Sequence, residues 1–216
     1  GFACLFYGAP GTGKTETVNQ LARMTGRDVM IIDVSEIKSC WVGESEKNIK
    51  ALFDRYRRLV KESERAPILF FNEADAIINK RNENAERAVD KMENSMQNII
   101  LQEIENLEGI LIATTNLTKN MDKAFERRFL YKVEFEKPSL EAKQHIWQSM
   151  LPSLSATDAE ILATKYDFSG GQIENIARKH SVEEILTGCS VGINRLIEFC
   201  NEERLDQPGP RRRIGF

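Results

Sequence analysis

The chain has 216 residues, 41% of them hydrophobic and 29% charged, with a formal net charge of -3. This length exceeds one average domain and falls short of two, and it can bury a sizeable core. The charge balance excludes a globally basic nucleic-acid binder, and no stretch reaches the ~20 apolar residues of a membrane-spanning helix.

In chain order, the opening residues 2–7 form a strand-like apolar run with no signal-peptide pattern before it. Such an abrupt opening reads as the interior of a longer protein. Further strand-like runs are expected at 29–34, 68–72, 110–114 and 131–135. Between them, Ile49, Leu52, Phe53, Tyr56, Leu59 and Val60 recur at three- and four-residue steps. Met92, Met96, Ile99, Ile100, Ile104 and Leu107 do the same, so each set draws an apolar stripe on a helix. Strands alternating with helices predict an α/β fold with a parallel sheet covered on both faces. After Pro138 only helical patterns follow, at 140–151, 158–166, 172–186 and 191–204. Asp158 is placed near a helix start, and Ser169 can cap the helix after it. The expected division is an α/β domain over 1–137, a small helical lid over 138–206 and a tail over 207–216. Cys4, Cys40, Cys189 and Cys200 form no CxxC pair and no zinc spacing, so they read as reduced thiols of a cytoplasmic protein.

The segment Gly8-Ala9-Pro10-Gly11-Thr12-Gly13-Lys14-Thr15 matches G-x-x-x-x-G-K-[ST] in full, after a strand and before a helix. Its glycines let the backbone curl around a phosphate with N–H groups aimed inward, and the following helix adds its positive end. Gly8, Pro10, Gly11, Thr12, Gly13, Lys14, Thr15 and Glu16 are the expected nucleotide-binding residues. Lys14 should neutralise the β- and γ-phosphates of ATP, and Thr15 should offer its hydroxyl to Mg²⁺. A second polar cluster, Asn72-Glu73-Ala74-Asp75, ends the apolar run at 68–72. In P-loop ATPases an aspartate there orients Mg²⁺ and the next glutamate polarises the attacking water. Here the first position is Asn72. Its amide oxygen can accept from a metal-bound water but carries no charge, so Mg²⁺ binding is expected to be weakened rather than lost. Glu73 is the expected base.

These residues resemble the AAA ATPase family, and the resemblance extends over about residues 2 to 200. It implies the P-loop NTPase three-layer sandwich, a five-stranded sheet of order 5-1-4-3-2, a helical lid, and a ring, usually hexameric, with ATP between neighbours. Trp41, Val42 and Gly43 look like the substrate-gripping pore loop of the meiotic branch that holds katanin and spastin. Asn116, after Thr114 and Thr115, resembles the sensor-1 residue. Arg127 and Arg128 resemble arginine fingers that reach the nucleotide of an adjacent subunit. Gly170 and Gly171 resemble the lid segment beside the adenine. Arg178 reads as a surface arginine, His145 and His180 as structural, and Asp33 is given no role.

The leading expectation is therefore an ATP-hydrolysing ring motor that threads or remodels a polypeptide. One alternative is an ATP-binding switch that hydrolyses poorly, with Asn72 as its signature. Another is a DNA-associated helper, which rests on Arg211, Arg212 and Arg213 near the end of the chain. The favoured reading of those three arginines is a solvated tail, which ranks the helper last.

Overall fold

The computed structural model describes residues 1–33, 45–80, 88–117 and 121–204, apart from the side chains of 45–46 and 88–93. Trp41, Val42, Gly43, Cys40 and residues 211–213 lie outside the described residues. Two compact units are present, one made of Gly1–Ala9 with Gly13–Glu136 and the other of Pro10–Thr12 with the chain from Lys137 on.

The first unit runs β1 (Phe2–Gly8), α1 (Lys14–Thr25), β2 (Val29–Asp33), α2 (Ser45–Glu62), β3 (Ile68–Asn72), α3 (Asp75–Ile78), α4 (Ala88–Glu105), β4 (Ile110–Thr115), α5 (Lys123–Arg128) and β5 (Tyr131–Phe135). The strands pair in parallel in the order β2-β3-β4-β1-β5, which is the expected 5-1-4-3-2 read from the other edge. Successive side chains alternate between the two faces of a strand. Ala3, Leu5, Leu69, Phe71, Leu111 and Ala113 therefore share one core, with Ile49, Phe53 and Tyr56 of α2 and Met96, Ile100 and Ile104 of α4. Cys4, Phe6, Ile68, Phe70 and Ile112 meet Val18 and Ala22 of α1 on the other face. Helices on both faces explain why β1, β3 and β4 are near-continuous apolar runs. The edge strands are more open, with Ile31 of β2 and Tyr131 of β5 exposed.

Tyr56 is fully buried, so its hydroxyl needs partners. It accepts from the Ile110 N–H at 2.8 Å and donates to the Pro67 carbonyl at 2.8 Å. One phenol thus ties the entrance of β3 to the entrance of β4. Gly109 makes room for it, because a Cβ there would lie 2.3 Å from the Tyr56 oxygen.

In the second unit, α6 (Leu140–Met150), α7 (Ala156–Lys165), α8 (Gly170–Thr187) and α9 (Ile193–Glu203) enclose Trp147, Leu162, Tyr166, Phe168, Ile173 and Phe199. Tyr166 and Phe168 stack with ring centroids 5.1 Å apart. Three of these helices start on a serine cap. Ser139 Oγ accepts from the Ala142 N–H at 3.2 Å. Ser169 and Gln172 form a reciprocal capping box on α8. On α7 the cap is Ser155, whose Oγ accepts from the Asp158 N–H at 3.0 Å and donates to the Asp158 carboxylate at 2.7 Å.

Replacing Tyr56 with Phe would leave the half-buried Ile110 N–H without its partner. The expected cost is about 1–3 kcal/mol of stability, read as a lower urea midpoint with an unchanged slope. An unchanged midpoint would show that the phenol does not fasten the two strands.

Candidate functional site

Ligands of open α/β sheets bind beyond the carboxyl ends of the strands. Here β4 pairs with β1 through Tyr7↔Thr115 and with β3 through Phe71↔Ala113. This register sets Gly8, Asn72 and Thr115 along one edge of the first unit. At Gly8 the chain turns with φ +145, and a Cβ would lie 2.2 Å from the Phe135 carbonyl oxygen, so only glycine fits. Gly13, at φ +91, leads into α1 with nothing within 4 Å of an added Cβ. The first N–H groups of α1 have no intrahelical acceptors and carry the positive end of the helix.

Lys14 is only 7% exposed. Its ammonium donates to the Gly8 carbonyl at 2.8 Å and to the Ala9 carbonyl at 2.7 Å. Burial lowers its pKa from the ordinary lysine value, and the Asp75 carboxylate pushes it partly back. The result is a dehydrated cation inside a glycine-rich bend, suited to a polyphosphate.

The neighbouring residues interlock through side-chain oxygens. Thr15 Oγ1 donates to Asn72 Oδ1 at 3.2 Å, and Thr114 Oγ1 donates to the same oxygen at 3.2 Å. Thr114 Oγ1 also accepts from the Glu73 N–H at 3.2 Å. That bond occupies the hydroxyl as an acceptor and leaves its proton for the amide oxygen. Asp75 Oδ1 accepts from Thr115 Oγ1 at 2.9 Å and from the Asn116 N–H at 3.0 Å. The side chains of Glu73 and Asn116 are exposed. Glu73 has φ +52, the one positive value among the described non-glycine residues. That conformation costs about 1–2 kcal/mol and is held by its surroundings.

The two arginines of α5 differ. Arg128 donates to the Ala124 carbonyl at 3.0 Å and pairs with Glu105. Arg127 is exposed, and no partner for it is found among the described residues. In the second unit, the Gly171 N–H donates to the Gly11 carbonyl at 3.0 Å. A Cβ on Gly171 would come within 3.1 Å of Gly11 Cα, and a Cβ on Gly170 within 3.4 Å of the Gly11 oxygen. Both glycines therefore allow the Pro10–Thr12 segment to lie against the start of α8. Arg178 is exposed and pairs with Glu174 at 2.5 Å. His145 is exposed. His180 is buried, with Nε2 3.3 Å from the Val191 carbonyl. No metal-holding group of three or more His, Cys, Asp or Glu is found among the described residues.

Sequence reasoning placed Lys14, Thr15, Asn72, Glu73 and Asn116 in this cluster. It gave no part to the Thr114 and Thr115 hydroxyls or to Asp75. The available signal was a pair of threonines closing an otherwise apolar strand.

The family model described as "ATPase family associated with various cellular activities (AAA)" matches residues 4–137. Fidgetin-like protein 1 of Drosophila melanogaster is 28% identical over 185 residues, covering 82% of this chain and 34% of that protein. Vacuolar protein sorting-associated protein 4A of Rattus norvegicus is 30% identical over 189 residues, covering 84% of this chain and 42% of that protein. The chain thus spans less than half the length of these relatives. The crystal structure of the FIGL-1 AAA domain in complex with ADP superposes with a TM-score of 0.75 at 21% identity, covering 94% of this chain and 72% of that one, a likeness of fold. Among the described residues, no helix is long and apolar enough to cross a membrane. With the family model matching more than half of its length, and a glycine-rich bend at the carboxyl edge of a β2-β3-β4-β1-β5 sheet, the chain belongs to the AAA ATPase family.

Proposed function

We propose that this chain is the ATP-hydrolysing module of a ring-forming motor, a polypeptide-remodelling AAA unit acting in the cytoplasm. The observation that carries the reading is the gathering of Lys14, Thr15, Asn72, Glu73, Asp75 and Asn116 at one sheet edge.

In this reading the first-turn N–H groups of α1 and the Lys14 ammonium hold the β- and γ-phosphates of ATP. Pro10, Gly11, Thr12 and Glu16 complete the loop, and Gly170 and Gly171 keep the adenine-side role implied by the family. Glu73 orients the attacking water and takes its proton, while the Asn116 amide meets the γ-phosphate or that water. Arg127, exposed and unpartnered among the described residues, is the better candidate to reach a neighbouring copy's nucleotide. Arg128 is engaged with Glu105 and Ala124 of its own chain. Trp41, Val42 and Gly43 are the proposed grip on substrate.

The donor set suits a Mg²⁺ that keeps most of its waters and leans on ATP's own oxygens: a Thr15 hydroxyl backed by a neutral Asn72. Bound there, the ion would neutralise charge on the phosphates. The same neutrality favours a second reading, a switch that binds ATP and hydrolyses it slowly. The Asn72 oxygen already accepts from two hydroxyls, and its amide nitrogen can only donate. In a slow switch, Glu73→Gln would leave turnover almost unchanged.

Lys14→Ala should raise the Kd for ATP at least ~100-fold by calorimetry while melting of the nucleotide-free protein stays close to wild type, since charge-assisted bonds to phosphate are lost. Undiminished affinity would remove the phosphate cradle from the account. Per-subunit ATPase rate should climb with protein concentration and vanish in Arg127→Ala. Mixing Arg127→Ala with Glu73→Gln should restore part of it, because an intact finger then faces an intact base. A concentration-independent rate in a protein shown to be monomeric would exclude a finger acting between subunits. Asn72→Asp should lower the Mg²⁺ concentration for half-maximal turnover several-fold, and an identical Mg²⁺ titration would end the weakened-metal reading.

A further inference from the structure

Thr114 lies at 2% exposure near the end of β4, and its same-face neighbours on the strand, Ile110 and Ile112, are apolar. Burying a hydroxyl is costly unless it is hydrogen-bonded, and valine would fill the same volume without that cost. The hydroxyl must therefore be explained by what it touches. It contacts Asn72 and Glu73 together, donating to Asn72 Oδ1 and accepting from the Glu73 N–H, each at 3.2 Å. The main chain of the same residue adds a third tie, its carbonyl accepting from the Ala74 N–H at 2.8 Å. Three consecutive residues at the exit of β3 are thus fastened to one residue of β4. The middle one is Glu73, held at φ +52.

An L-residue stays in the left-handed region only when its neighbours determine it. The strand ladder between β3 and β4 ends at Phe71↔Ala113, two residues before Glu73. Beyond that point, among the described residues, the Thr114 hydroxyl holds the Glu73 amide and the Thr114 carbonyl holds the amide after it. Where a carboxylate sits depends on where its backbone is aimed, and a misplacement of about 1 Å can cost two orders of magnitude in rate.

We infer that Thr114 is a positioning residue: its hydroxyl fixes the left-handed backbone of Glu73 and the rotamer of Asn72, and so sets the direction in which the Glu73 carboxylate points. Thr114 is buried behind these two residues and acts through Glu73. The inference rests on the proposed role of Glu73 as the hydrolytic base.

The test uses the full chain with Thr114→Val, which keeps the shape and removes the hydroxyl, and Thr114→Ser, which restores it. Two readouts separate the clamp from the ATPase reading. In the nucleotide-free protein, amide hydrogen exchange followed by NMR should quicken at Glu73 in Thr114→Val and stay slow at Ala74, whose acceptor is main chain. In steady-state kinetics, kcat should fall about ten-fold with KM for ATP within two-fold of wild type, the size expected for one lost bond at a positioned group. Thr114→Ser should recover both. Tyr56→Phe serves as a control, losing stability at the opposite end of the same strand pair while keeping kcat. Unchanged exchange at Glu73 in Thr114→Val overturns the clamp, and so does a kcat loss that Thr114→Ser fails to restore or that Tyr56→Phe reproduces. A wild-type protein that binds ATP without hydrolysing it would end the ATPase reading alone, and the exchange data would still decide the clamp.

Discussion

Parallel pairing of β4 with β1 on one side and β3 on the other is the constraint from which the site follows. Because all three strands run the same way, their carboxyl ends emerge together, and each delivers a different chemical element. β1 delivers the bend that exposes backbone N–H groups. β3 delivers the polar pair Asn72 and Glu73. β4 delivers two hydroxyls and an amide. A register shift of one residue would turn Thr114 to the opposite face and place Thr115 where the Asn72 and Glu73 contacts are made. The apolar residues below them, from Leu69 to Ala113, hold that register, since the same shift would expose alternate members of both cores.

Charge at this edge is unusual in its distribution. Lys14 is dehydrated and opposed by Asp75, while the position nearest Thr15 carries no charge at all. Asp75 is occupied in another way: it holds Thr115 and the main chain of Asn116. The carboxylate that balances Lys14 is therefore also the one that orients the start of the segment after β4. Coulombic and geometric functions are combined in a single side chain, and a neutral residue at 75 would disturb both.

Much of this was legible in the amino-acid sequence, for reasons that differ by element. β1, β3 and β4 are covered on both faces, so they appear as unbroken apolar runs. The stripe from Ile49 to Val60 has a period that only a helix satisfies. The glycine-rich bend is legible because glycine is demanded by sterics at Gly8 and by a positive φ at Gly13. Other features left little trace. Ser155 caps α7 by accepting from the Asp158 N–H, and in sequence a serine beside an acid does not show which of the two is the cap. Arg127 and Arg128 are identical in type and adjacent, and only the position of Glu105 separates the tied one from the open one. The left-handed backbone of Glu73 has no signature, because glutamate is not a residue that advertises positive φ. The threonines at 114 and 115 look like ordinary strand formers until their hydroxyls are seen to face Glu73, Asn72 and Asp75.

Tyr56 bolts the entrance of β3 to that of β4, and Thr114 bolts the exit of the same pair. Two strands riveted at both extremities cannot shear past one another without breaking buried polar contacts at two places at once. Stress arriving at either strand is then passed to the other as a common rotation or translation, in the manner of a stiff beam. The region that holds Asn72, Glu73 and Asn116 would travel as a single piece, with its internal distances preserved while the surroundings yield.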